Sequence, residues 1–339
     1  ADDGPARAGV GRVKLLTMTN PKDRLPLELM LPHQLRMLSG SSLGVDEVVV
    51  LDNRPPTWRS RRGPHDGFLR QLQQSGAAAV KPINYATFDD PAFLRRFFNV
   101  SDPIPGRPGR QSARALASLG GFKMATNLLG MLHFLDQCLS DASVELCIWT
   151  DPDIFWHRSG ERGFVGEAAA AFAEHPAWAV LQPPSLCERG ERGPARACHA
   201  RPGEVLSSRH LALNRSRLLP RLPLAVTLTD FTAPYAGMFE DAFKAGLSRI
   251  GGLGTLACGG ELVAVHPPYN TYELDFEDQL AALASQDASR PPLAGFSATT
   301  AVGAQVLIDR VEAGRFSRSN DFCTNMRPSR KRIDAGMAW

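Results

Sequence analysis

Four short apolar runs in the first half of the chain are typical of buried strands: residues 13–18, 47–51, 77–83 and 144–149. Between them, apolar residues recur with the spacing of an amphipathic helix, at 26–38, 67–74 and 125–139. Strands that alternate with helices form parallel sheets, because each helix carries the chain back across one face of the sheet. The pattern therefore predicts an α/β fold with a mostly parallel central sheet and helices on both faces.

The second half of the chain continues this alternation less regularly. Residues 205–213 and 261–265 predict strands, and residues 239–250 predict a helix. Two segments rich in Pro, Gly and charged residues predict loops, at 101–111 and 185–204. We expect a single domain with a segment on either side: a loose leader at 1–12, the domain at 13–285, and a C-terminal extension with a basic tail at 286–339.

The composition is that of a globular protein, with 43% hydrophobic and 22% charged residues among 339. The net charge of +3 is too small to demand a nucleic-acid partner, and no apolar stretch approaches the length of a membrane span. The compartment stays open, between the cytoplasm and, for a trimmed ectodomain, the Golgi lumen. Asn99 and Asn214 each begin an Asn-X-Ser triplet, the pattern that accepts N-linked glycans, although such triplets also occur often by chance.

The six cysteines form no Cys-X-X-Cys pair. Cys138 falls in a predicted helix and Cys147 in a predicted strand, so both are expected to be small buried apolar residues. Cys187 and Cys198 flank a loop and would be bridged in an oxidising compartment. A zinc site that adds nearby histidines is the alternative, although its spacing fits no usual zinc pattern.

The most informative motif is Asp151-Pro152-Asp153, which follows directly after a predicted buried strand. Ligand sites of parallel sheets lie outside the carboxyl ends of their strands. Two carboxylates at such an edge suit one hard divalent cation, which can neutralise the charge of a departing diphosphate. The alternative is a solvated turn, since Asp and Pro are common turn residues.

The order of motifs resembles that of GT-A type glycosyltransferases, in particular the family 2-like inverting enzymes. The first predicted strand ends in Thr17-Met18-Thr19, the second in Asp52, and the Asp151/Asp153 pair follows. Next come the strand and helix at 211–216, the pair Glu240-Asp241 at the start of a helix, and a strand that ends in His266. The resemblance covers about residues 13–270 and implies a nucleotide-sugar half at 13–153 and an acceptor half at 154–285.

The resemblance also implies roles for particular residues. Mn²⁺ or Mg²⁺ would be held by Asp151, Asp153 and His266, while Asp241 would be the catalytic base, supported by Glu240. A nucleotide-sugar donor, most simply a UDP-sugar, would be contacted by residues at the strand ends: Thr17, Thr19, Asp52 and Asp151. Lys123 and Asn127 lie one turn apart on the helix before the Asp pair and are expected to reach the donor sugar or diphosphate. The acceptor would be a glycan, a protein or a small molecule.

Several alternatives stay open. The Gln-X-X-Arg-Trp signature of processive synthases is absent, which favours a non-processive transferase. The motif that begins at Asp151 is also similar to that of some retaining GT-A enzymes, so the stereochemistry is undecided. A nucleotidyltransferase and a catalytically inactive GT-A-like binding protein are the remaining possibilities, because a fold does not determine a function.

Overall fold

Buried strands form the centre of the computed structural model, which describes residues 11–19, 24–41, 43–54, 64–104, 112–120, 122–152, 154–158, 160–183, 206, 209–231, 238–256 and 262–265. Eleven strands lie within these ranges: β1 (Arg12–Thr19), β2 (Glu47–Asp52), β3 (Ala79–Pro82), β4 (Phe98–Val100), β5 (Val144–Thr150), β6 (Phe155–Arg158), β7 (Val180–Gln182), β8 (His210–Asn214), β9 (Leu224–Val226), β10 (Leu253–Thr255) and β11 (Leu262–Val265).

The helices in the same ranges connect these strands. They are α1 (Arg24–Leu38), α2 (Pro64–Gln74), α3 (Pro91–Arg95), α4 (Ala113–Gly120), α5 (Phe122–Leu139), α6 (Phe164–Glu174), α7 (Arg215–Leu218), α8 (Leu228–Phe231) and α9 (Met238–Arg249). Short 3-10 helices are also present, at Tyr85–Phe88 and Leu219–Arg221. None of the helices described is long and apolar enough to cross a membrane.

Seven strands form the central sheet, in the order β10-β7-β8-β5-β1-β2-β3. All are parallel except β8, which runs antiparallel to both of its neighbours, β5 and β7. Two further pairs lie outside this sheet: β6 with β11, antiparallel, and β4 with β9, parallel. The expected α/β fold with a mostly parallel central sheet is therefore confirmed.

The two faces of the sheet are covered by separate buried clusters, because successive side chains of a strand point to opposite faces. One cluster includes Leu15 of β1 and packs against α1, α2, α6 and the β6–β11 pair. The other includes Leu16 of β1 and packs against α3, α4, α5, α9 and the β4–β9 pair. Helices on both faces agree with the prediction from the sequence.

The strands and helices predicted in the first half of the chain are all present, with ends that differ by at most three residues. The strand predicted at 205–213 is shorter and begins at His210. Cys138 and Cys147 are both fully buried, as expected, but they also form a disulfide that joins α5 to β5. This disulfide was not predicted, because spacing along the chain does not show that a helix and the following strand face each other. Cys187 and Cys198 lie outside the described residues.

Candidate functional site

The order of the strands indicates one position at the sheet edge as a candidate ligand site. From β1 the chain proceeds to β2 and β3 on one side, whereas β5 lies on the other side of β1. Crevices at such a switch point, outside the carboxyl ends of the strands, are where open α/β sheets bind ligands. Asp151 follows β5 directly and therefore stands at this point.

Asp151 is held by contacts on both sides of its backbone. Its N–H donates to the carbonyl of Arg209 at 2.7 Å, and its carbonyl accepts from the side chain of Gln34 at 2.8 Å. One carboxylate oxygen accepts from the indole N–H of Trp149 at 3.2 Å, and the side chain is half-buried. The backbone of Asp151 is thus held by α1 and by the residue before β8, and its carboxylate is held by Trp149 of β5.

Helix α1 supports the turn after β5 through two fully buried polar residues. The amide nitrogen of Gln34 donates to the carbonyls of both Asp151 and Ile154, at 2.8 and 3.0 Å. The Nε2 atom of His33 accepts from the backbone N–H of Trp156 at 2.8 Å. These bonds fix the backbone on both sides of Asp153, a residue that itself lies outside the described ranges.

The carboxylate of Asp151 faces the side of the sheet that α5 and α9 cover. Its partner Trp149 belongs to the buried cluster on that face and packs on Phe134 of α5, with ring centroids 5.1 Å apart. Phe239 and Phe243 of α9 belong to the same cluster. The first turn of α9 therefore packs on the same side of the sheet as the indole that contacts Asp151.

Glu240 and Asp241 are the acidic residues in the first turn of α9, as predicted. The helix ends at Arg249, just before β10 begins at Leu253. Because β10 is parallel to β5, a helix that feeds into it starts nearer the carboxyl edge of the sheet. Both side chains are half-buried, and one oxygen of the Asp241 carboxylate is shielded from solvent. A carboxylate at a helix N-terminus is stabilised in its charged form.

Four predicted site residues lie partly or wholly outside the described residues. Asp153 and His266 are not described, and Lys123 and Asn127 are described only as backbone positions in the first two turns of α5. Strand β11, however, ends at Val265, which pairs with Phe155 in the antiparallel β6–β11 pair. The end of β11 therefore lies beside the segment that follows Asp151.

The predicted donor contacts on β1 and β2 are enclosed. Thr17 and Thr19 are fully buried. Because side chains of a strand alternate between its faces, both lie on the same face as Leu15, which α1 covers. The carboxylate of Asp52 is 5% exposed and accepts three hydrogen bonds from Arg54, between 2.8 and 3.1 Å. Arg54 also donates to Asp66 at 2.6 Å, and these carboxylates raise the pKa of its guanidinium.

Arg209 and His210 lie next to Asp151 where β8 begins. Thr150 pairs with His210 in the register of β5 and β8. The imidazole of His210 is fully buried with its edge against Trp156, and burial, helped by the charge of Arg209, lowers its pKa to about 3. His210 is therefore neutral at physiological pH, whereas Arg209 is a cationic residue at this edge within the described part of the chain.

Arg215 lies away from this edge, whereas Trp156 is buried beside it and donates its indole N–H to Thr150 at 3.2 Å. Arg215 donates from its Nε to the carbonyl of Leu139, at the end of α5 opposite to its N-terminus. Trp156 is fully buried and stacks on Phe164 with ring centroids 5.1 Å apart, so it is not exposed to a sugar. A groove of about 1060 Å³ is present elsewhere, at the C-terminal end of α1, and is lined in part by Arg36, Arg158 and Glu161.

The predicted ligands Asp151, Asp153 and His266 suit a divalent ion by their chemistry. Carboxylate oxygens together with one imidazole nitrogen bind Mn²⁺ or Mg²⁺. Among the residues the structure describes, however, no group of three or more His, Cys, Asp or Glu side chains could hold a metal. Two of the three predicted ligands lie outside those residues, so the described part contains only Asp151 of the set. The structure adds His33 and Gln34, which the sequence did not single out, and gives Trp149 a contact with the carboxylate of Asp151.

Comparisons with known proteins add a likeness of fold. No protein-family model matches the chain, and no curated protein matches it. Among solved structures, the chain is similar to a mannosyltransferase from Pyrobaculum calidifontis in complex with GDP-Man and Mn²⁺. The alignment has 14% identity and a TM-score of 0.40, and covers 91% of this chain and 72% of the other. At this TM-score the likeness supports no inference about function.

Proposed function

We propose that this protein is a non-processive glycosyltransferase, which moves a sugar from a nucleotide-diphosphate donor to an acceptor hydroxyl with the help of a divalent metal. The observation that carries the proposal is the position of Asp151 at the switch point of the sheet, with its carboxylate on the face that α9 covers. Asp151 would bind the metal and the diphosphate. The helix α9, which begins with the candidate base Asp241, packs on the same side of the sheet.

Metal binding is assigned to Asp151, Asp153 and His266. The register of β6 and β11 supports the inclusion of His266, because β11 ends opposite Phe155, two residues after Asp153. Mn²⁺ or Mg²⁺ bound there would act as a Lewis acid on the diphosphate. The bonds from Gln34 hold the backbone of this turn, which lowers the entropy lost when its carboxylates are ordered around a ligand.

The transfer step is assigned to the first turn of α9. The acceptor oxygen attacks the anomeric carbon, the bond from that carbon to the diphosphate oxygen breaks, and the acceptor proton passes to the carboxylate of Asp241. Glu240 supports the geometry of that carboxylate or contacts the acceptor. This assignment describes an inverting transfer, and a retaining transfer on the same scaffold is the alternative.

Donor contacts are assigned to the strand ends and to α5. Lys123, Asn127 and Arg209 supply polar and cationic groups for the sugar and diphosphate, with UDP as the simplest nucleotide. Thr17, Thr19 and Asp52 are buried. We therefore assign them a structural role, in which they support the ends of β1 and β2 beside the bound nucleotide. The acceptor would be a glycan, a protein or a small molecule.

Product analysis separates this proposal from its main rival. A glycosyltransferase releases a nucleoside diphosphate from a nucleotide sugar, whereas a nucleotidyltransferase makes the nucleotide sugar and releases pyrophosphate. The purified protein is incubated with Mn²⁺ and a panel of nucleotide sugars, with and without glycan acceptors. Release of a nucleoside diphosphate from one donor is expected, and pyrophosphate release from a nucleoside triphosphate with a sugar phosphate would contradict the proposal.

A further inference from the structure

The two Asn-X-Ser triplets of the chain lie in different environments. Asn99 is the middle residue of β4, between Phe98 and Val100, which are buried in the core. Its side chain is exposed, and so is that of Ser101. The facing residue on β9 is Ala225, which is exposed and contributes only a methyl group. A bulky substituent on Asn99 would therefore project into solvent without displacing a neighbouring side chain.

Asn214 is enclosed instead. It is 7% exposed and caps α7, with its Oδ1 accepting from the backbone N–H of Arg217 at 3.1 Å. Its Nδ2 atom, the atom to which a glycan would be joined, donates to Glu145 at 3.0 Å. A glycan at this nitrogen would crowd the contact with Glu145 on a residue that is only 7% exposed, so it would oppose folding.

A second, independent feature concerns the compartment. Cys138 and Cys147 form a disulfide between α5 and β5, with their Cα atoms 6.0 Å apart, within the usual range for such bonds. Both residues are fully buried. Disulfides of this kind persist in oxidising compartments and are rare where the cell keeps thiols reduced. N-linked glycans are likewise added to chains that enter the secretory route.

We propose that Asn99 is an N-glycosylation site and that the protein matures in an oxidising, secretory compartment. In the modification, a bond forms between Nδ2 of Asn99 and the C1 atom of a lipid-diphosphate-linked oligosaccharide. The bond from C1 to the diphosphate oxygen breaks, the lipid diphosphate leaves, and the amide loses one proton. Ser101 supplies the hydroxyl that the triplet requires. The inference is independent of the proposed transferase activity.

Peptide mapping of the full chain secreted from eukaryotic cells tests the proposal. Treatment with an N-glycosidase converts a glycosylated Asn to Asp, so the modified residue is identified by mass. We expect conversion at Asn99 and an unconverted Asn214 in the folded fraction. The variant Ser101→Ala, exposed and outside the core, is expected to lose the glycan and to keep its fold.

The compartment is tested on the same sample by alkylation. In the secreted protein, Cys138 and Cys147 are expected to resist alkylation under denaturing conditions until a reductant is added. An unmodified Asn99 in folded secreted protein would overturn the assignment of the site, as would a glycan at Asn214 instead. Free thiols at Cys138 and Cys147 in that sample would overturn the assignment of the compartment.

Discussion

The side chain of Gln34 and the backbone of Asp151 are joined by a hydrogen bond of 2.8 Å across the boundary between α1 and the edge of the sheet. The same amide nitrogen also donates to the carbonyl of Ile154 at 3.0 Å, so one side chain joins the backbones of Asp151 and Ile154. Asparagine is too short to reach both carbonyls from the same helical position, and glutamate has no donor. The turn therefore depends on the identity of residue 34.

Replacement of Gln34 by Glu tests this dependence. The substitution removes the donor and places carboxylate oxygens against two carbonyls, which should lower the free energy of unfolding by about 2–3 kcal/mol. Urea unfolding measures the change. The same substitution at Gln71, exposed on α2, is the matched control and should change stability by less than about 0.5 kcal/mol. Equal losses of stability at both positions would contradict the conclusion that Gln34 holds the turn after β5 through its two hydrogen bonds.

The ion pair of Asp52 and Arg54 leads to a second prediction. Both side chains are buried, at 6% exposure for Asp52 and 7% for Arg54, so removal of the guanidinium leaves an uncompensated charge. Arg54→Met is expected to lower the free energy of unfolding by about 3–5 kcal/mol. Arg70→Met, at an exposed position of α2, is the control. A loss below about 1 kcal/mol at Arg54 would show that Asp52 is not held by this pair.

The buried imidazole of His210 predicts a pH dependence of stability. Its pKa in the folded protein is about 3, below the ordinary value of 6.5, so between these values the unfolded chain binds the proton that the folded chain does not. The contribution of this residue to stability is therefore complete above pH 6.5 and is lost as the pH falls, by about 1.4 kcal/mol per pH unit.

His210→Phe keeps a ring at this position and removes the titration. Between pH 6.5 and 4.5 the variant should lose less stability than the parent protein, with the difference growing as the pH falls. Denaturant unfolding at several pH values measures both curves. His175→Phe, at a half-buried position, is the comparison. Parallel curves for the parent and His210→Phe would mean that His210 is not buried in its neutral form.

The assignment of Asp241 as the base gives a prediction about rates. Asp241→Asn keeps the shape of the side chain but cannot accept the proton, so kcat for sugar transfer should fall by about 10²–10⁴-fold. The affinity for the donor should stay within a factor of about two, because Asp241 is assigned to the acceptor side. Ser248→Ala, exposed near the other end of α9, serves as the control for the helix. Unchanged transfer by Asp241→Asn would remove its catalytic role.

Much of the fold was predictable because its signals are local. The apolar runs at 13–18 and 47–51 and the helical spacing at 26–38 identified β1, β2 and α1 to within a few residues. The antiparallel direction of β8 was not predictable, since a strand's composition does not state its orientation. The shortest strands, such as β4 and β9, also escaped notice, because three residues are too few to show a period.

For the candidate site, the sequence predicted the acidic motifs but not the contacts that support them. Asp151 and the pair Glu240-Asp241 stood out because acidic residues at the end of a strand and the start of a helix have a recognisable position. Gln34 did not, because one polar residue within a helix has the same local signal whether it faces solvent or a distant turn. The burial of Asp52 by Arg54 was likewise hidden, since it depends on how the chain after β2 folds back.

The central claim is that Asp151 contributes to a divalent-metal site that binds the diphosphate of a nucleotide sugar. Calorimetric titration with UDP, GDP, CDP and dTDP, with and without Mn²⁺, tests it most directly, with Asp151→Asn compared with Glu174→Gln at the exposed end of α6. One diphosphate should bind at least about tenfold more tightly with Mn²⁺, a gain of about 1.4 kcal/mol that Asp151→Asn abolishes and Glu174→Gln preserves. Binding that is indifferent to Mn²⁺, or a metal effect that survives in Asp151→Asn, would contradict the account.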